Sequence, residues 1–220
     1  MRALLAAALL LLAQRAPMAE YRDPTGGFRF TYPDRYGSVS PGTNDGFQGR
    51  RAVRFSSFPA VLGGELVLTR GFPYVDIQAV GGLYDSIALE VFPTPLRGRI
   101  VAQLPRLNAS NFCDALGRDS HLDTASLRGF TEDERAGIHK VDLFRSVDPK
   151  VVRCDIKEGV IVFDRETAFQ VGAPRQHIFG AIRFVDSGDV SSVQLVTGDS
   201  QPRAGVLDEI ATIVRSVTFR

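Results

Sequence analysis

The chain has 220 residues, 44% hydrophobic and 23% charged, and its 26 Lys and Arg against 25 Asp and Glu leave a formal net charge of +1. That balance supports a packed core and argues against a disordered chain or a general polyanion binder. Nucleic acid is not expected as a partner, because the basic residues, 23 Arg and 3 Lys, are scattered along the chain rather than gathered into a patch.

Arg2 precedes an unbroken run of Ala and Leu over residues 4–13. Ten apolar residues fall short of the roughly 20 that cross a bilayer, so the run reads as the hydrophobic region of a signal peptide. Residues 1–19 are expected to be that signal peptide and residues 20–220 a single exported domain. Cleavage after Ala19 puts Pro17 where a small residue is wanted, and cleavage after Ala16 is the alternative. No Cys follows the run, so neither a lipid anchor nor any stable membrane anchor is expected after cleavage. The competing reading of the segment is a short buried helix.

Phe28, Phe30 and Tyr32 alternate with Arg29 and Thr31, the period-2 pattern of a half-buried strand ended by Pro33. Residues 38–49, rich in Gly, Ser, Pro and Asn, predict a loop before a strand over 52–56. Strand-like runs follow at 66–69, 75–80 and 87–92. The Gly63-Gly64 and Gly81-Gly82 pairs punctuate them, and neither belongs to a phosphate-binding pattern. A short helix through Leu116 is expected, capped by Asn108 or Ser110 and closed by Gly117. Thr131 and Glu134 have capping-box spacing for a second short helix, which Gly137 limits. Asn108-Ala109-Ser110 also forms a glycosylation sequon, relevant only in a eukaryotic secretory pathway.

In the second half, residues 151–156 and 160–166 flank Glu158-Gly159, a compact hairpin signal. A second hairpin is expected from 175–185 and 191–196. Val206, Leu207, Ile210, Ile213, Val214 and Val217 then recur at helical spacing opposite Asp208, Glu209, Thr212 and Arg215, which predicts an amphipathic helix packed on the sheet of the hairpins.

Two cysteines occur, Cys113 and Cys154. In an oxidising compartment a lone pair is expected to bond, and both sit on apolar faces: Cys113 beside Phe112 and Leu116, Cys154 alternating with Val152 and Ile156 on an inward side. The chain-entropy model puts the bridge at about 4 kcal/mol. The alternative is two separate buried thiols. No C-x-x-C pair suggests redox chemistry.

The segment Tyr21-Arg-Asp-Pro-Thr-Gly-Gly-Phe-Arg-Phe-Thr-Tyr-Pro33 and the closing Ile210-Ala-Thr-Ile-Val-Arg-Ser-Val-Thr-Phe219 resemble the start and finish of PsbP-like domains. The strands near residues 51–56 and 175–184 fall in compatible order. The chain departs from that pattern in carrying Tyr36 where members often have Trp, and it has no Trp at all. The resemblance implies an α+β fold, a central antiparallel β-sheet flanked by helices on both sides, used for binding or assembly rather than catalysis. It transfers no metal-ligating or partner-contact residue.

The chain lacks H-E-x-x-H and G-x-S-x-G. Gly198-Asp199-Ser200 superficially resembles a nucleophile segment, and His121, His139 or His177 could supply a base, but a capping turn before the last helix explains Asp199 to Pro202 more simply. The His121-Leu122-Asp123 segment is read as a surface turn. Arg175, His177 and Arg183 share one face of an expected strand and are the candidate ligand-binding residues, an anion patch if they converge and a solvated face otherwise. The expected function is an exported noncatalytic binding or assembly accessory with a protein partner outside the cytoplasm. The alternatives are a serine-dependent hydrolase using Ser200 and a small-anion or metal carrier. No cofactor and no metal site is assigned.

Overall fold

The structure is a computed structural model and describes residues 17–42, 51–58, 65–70, 92–103, 107–117, 127–140, 147–168, 172–187, 190–199 and 202–220. In chain order the elements are β1 (Met18–Arg22), β2 (Phe28–Pro33), a 3-10 turn (Asp34–Tyr36), β3 (Val39–Pro41), β4 (Arg51–Phe55), β5 (Glu65–Arg70), α1 (Thr94–Val101), α2 (Phe112–Leu116), α3 (Glu132–Lys140), β6 (Val147–Lys157), β7 (Val160–Ala168), β8 (Gln176–Ser187), β9 (Val190–Asp199), α4 (Val206–Ser216) and β10 (Thr218–Phe219). The expected runs at 75–80 and 87–91 lie outside the described residues.

Every strand pairing is antiparallel, and the strands form two sheets: a small one in the order β1-β2-β10 and a large one in the order β3-β4-β5-β9-β8-β7-β6. Local chemistry sets the hairpins. Glu158 and Gly159 both take positive φ, 53° and 77°, which lets the two-residue turn follow the right-handed strand twist and sets Lys157 opposite Val160. At Gly180, in the middle of β8, a Cβ would lie 2.8 Å from Val196 Cα and run into the Leu195 carbonyl, so only glycine lets β9 come this close.

Burial is two-sided in the middle of the large sheet. On one face Val160, Val162, Phe179, Val193 and Leu195 join Phe28, Phe30 and Tyr32 of the small sheet and Val206, Ile210, Ile213 and Val214 of α4 in one cluster. On the other, Ile161, Phe163, Ile178, Ile182 and Val196 pack under Leu107, Phe112 and Leu116. Alternate residues of β7 thus feed both clusters, which explains its nearly unbroken apolar start.

The expected central sheet flanked by helices is overturned. The molecule is mainly β, and a second sheet shares one face of the large one with α4, a sandwich-like arrangement. The physical reason lies at the chain ends. The aromatic stripe of β2 does not join the large sheet; it pairs instead with β1 and with β10, two segments that carry no strong strand signal of their own. Met18 and Ala19 pair with Pro33 and Tyr32, and the Asp34 N–H donates to the Pro17 carbonyl at 2.8 Å, so β1 is complete only from Pro17 onward.

Several local expectations hold. Thr131 and Glu134 form a reciprocal capping box on α3: the Thr131 N–H donates to Glu134 Oε2 at 2.9 Å, and the Glu134 N–H to Thr131 Oγ1 at 3.2 Å. The last helix spans α4 as its periodicity predicts. Residues 38–49 differ from the expected loop, because Val39–Pro41 pair with β4, while residues 43–50 lie outside the described set.

Candidate functional site

Antiparallel register places Glu166 opposite His177 and Asp164 opposite Phe179, so Asp164 and His177 are diagonal neighbours on the face that carries α4. His177 Nδ1 lies 2.8 Å from Asp164 Oδ1, with the His and Asp side chains 15% and 7% exposed. Just before β8, Arg175 Nε donates to Glu166 Oε1 at 2.9 Å. The four groups form a compact row of opposite partners at the polar margin of the α4-bearing cluster.

Arg183 stands apart. Six residues along the same strand carry it about 20 Å from His177. There its guanidinium donates to the carbonyls of Arg215 and Val217 at 2.9 and 2.6 Å, closing the C-terminal end of α4. Burial lowers its pKa from the ordinary arginine value. The strand does place Arg175, His177 and Arg183 along one chain segment, but the structure brings only the first two together. Each cation already has an acceptor, and an incoming anion would have to displace a carboxylate or a helix carbonyl.

An Asp that holds one imidazole nitrogen leaves the other aimed for proton transfer, yet the pair becomes catalytic only beside a nucleophile. Ser200 and His121 lie outside the described residues, as does the side chain of His139. Among the described residues no group of three or more His, Cys, Asp or Glu could hold a metal.

Cys113 of α2 and Cys154 of β6 are joined in a disulfide, with Cα atoms 5.8 Å apart. The expected inward face of β6 needs correction. Val152 and Ile156 are 50% and 58% exposed, while Cys154 is half-buried. Two features of the strand cause this. The register shifts between Val151 and Arg153, a bulge that takes Val152 out of alternation, and among the described residues β6 is the outermost strand, with Ile156 near the hairpin tip. Beside them Arg153 Nε donates to Asp155 Oδ2 at 2.6 Å.

Among the described residues no strand pairs with the outer margin of β6, which carries two exposed apolar side chains and an internally paired Arg and Asp. Periodicity alone conceals it, because an edge strand and an inner strand read alike until the sheet order is known. The opposite edge, β3, is three residues long and offers much less.

No protein-family model matches the chain, and no curated protein matches it.

Proposed function

We propose that the protein is an exported, noncatalytic binding or assembly module that engages a protein partner along the outer edge of β6. The observation that carries this reading is the pairing of a backbone edge that no described strand fills with exposed Val152 and Ile156, on a strand fastened by the Cys113–Cys154 bridge. Strand addition at such an edge obtains its affinity from main-chain hydrogen bonds and its selectivity from alternate side chains. A bulge, Pro149 and Lys150 interrupt the first half of the strand, features that restrain indiscriminate pairing, so docking concentrates on residues 152–157.

The disulfide and the apolar leader together support an oxidising, extracytoplasmic setting. No helix among the described residues is long and apolar enough to cross a membrane. The likeness of the two chain ends to PsbP-like domains supports the same class of role, binding rather than turnover.

The test is affinity capture from the protein's own extracytoplasmic extract with the mature wild type and with Val152→Asp/Ile156→Asp. Both changes are at exposed positions, so the variant should keep its circular dichroism spectrum and its disulfide. A partner recovered by the wild type and lost by the variant is the expected result. Equal recovery by both would remove β6 as the docking edge.

A further inference from the structure

We infer that the partner accommodated by the β6 edge is a second copy of this chain, paired antiparallel about a two-fold axis through Cys154. This deepens the edge-docking reading above and rests on it.

The hairpin geometry identifies the backbone groups that are free to pair. A two-residue turn makes Lys157 and Val160 a mutually hydrogen-bonded pair, so the groups of Asp155 also turn toward β7, and those of Cys154 and Ile156 turn away from it. A two-fold axis normal to the sheet sets residues of the same face opposite one another and satisfies the outward groups only when they meet other outward groups.

Charge then separates the two registers centred nearest the middle of residues 152–157. With Cys154 on the axis, Arg153 of each copy faces Asp155 of the other, on the regular part of the strand beyond the bulge at Val152. Within each copy Arg153 and Asp155 are already bonded at 2.6 Å, so the four side chains would alternate in sign around the axis, each with one opposite partner along its strand and one across. Shifting the axis to Asp155 instead sets Asp155 against Asp155 and Arg153 against Lys157, like charges throughout. Ile156, exposed on the regular part of the strand, lies at each end of this contact. The contact is short, a few residues per copy, which fits a dimer whose population rises with concentration rather than an obligate one.

Sedimentation velocity on the mature oxidised protein over a concentration series tests this. The wild type should shift toward dimer, and hydrogen exchange should slow at the Cys154 and Ile156 amides as it does. Asp155→Arg, which sets Arg against Arg, should weaken self-association by about tenfold or more. The swap Arg153→Asp/Asp155→Arg should restore it. A wild type that stays monomeric up to on the order of 1 mM overturns the inference, as does an Asp155→Arg variant that dimerises undiminished. A monomeric wild type that still captures a different protein, with capture lost in Val152→Asp/Ile156→Asp, would retain the docking edge and discard self-pairing. Absence of both dimer and edge-dependent capture would discard both.

Discussion

The two faces of the large sheet are closed by different means. On one, Phe28, Phe30 and Tyr32 interlock with Tyr21 and Phe55 through tilted and edge-on ring contacts, and α4 completes the layer with a continuous apolar stripe. That face needs no crosslink, since apolar area alone suffices to hold it. On the other, the cover described is α2, a helix of five residues, far below the length at which a helix is stable by itself. Here Phe112 packs against Phe163 and Phe184, and the disulfide pins the helix to β6. Among the described residues, a covalent bond reinforces a layer whose covering helix is short.

This contrast can be broken by experiment. The largest effect is expected from Phe30→Ala, which empties a site 1% exposed at the centre of the aromatic layer and should cost about 4 to 5 kcal/mol in denaturant unfolding. A cost under about 1 kcal/mol would mean the layer is looser than its packing indicates. Next comes Cys113→Ala/Cys154→Ala, about 4 kcal/mol for a bridge spanning 41 residues of sequence. Its signature should be regional: faster amide exchange in α2 and β6, with α4 and β2 still protected against local opening. Uniform acceleration would show that the two faces do not open independently.

The smallest effect concerns α3. The Arg99 guanidinium and then the Thr131 N–H hold the Glu134 carboxyl below its ordinary pKa. A depressed folded-state pKa contributes stability that is complete above the ordinary carboxylate value and disappears as pH falls through the folded one. Acidification should therefore fray the first turn of α3 before it affects the core. A carboxyl titration of Glu134 by NMR checks this, and a value at or above that of an unfolded peptide would contradict it.

The parts legible in the sequence were those whose causes are local. Glu158-Gly159 announces its hairpin because the turn's backbone demands those residue types, and α4 announces itself through its stripe. Cys113 and Cys154 could be paired because no other cysteine competes. Long-range register was not legible. Asp164 and His177 meet only as diagonal neighbours across β7 and β8, and the exposure of Ile156 follows from the position of β6 at the end of the sheet order. β1 was hidden because residues 18–22 follow shortly after the Ala and Leu run at 4–13 and lack its composition or a clear alternation. α1 begins with Pro95 in its first turn, a usable signal, but Gly98 and the branched Ile100 and Val101 weaken the helical pattern around it.

β2 has one further consequence for how this molecule comes into being. Its partners are β1, eleven residues or so upstream, and β10, paired through Arg29 with Thr218 and Phe28 with Phe219; the Thr31 N–H also bonds Ser216 Oγ at 2.9 Å. Among the described residues, the second side of β2 is filled by a segment nearly two hundred residues later. Until residues 206–219 are made, the aromatic layer lacks both α4 and β10. The entropy cost of closing so long a loop rises only with the logarithm of its length, yet contacts so distant in sequence are slow to form, so this face should be the last to close.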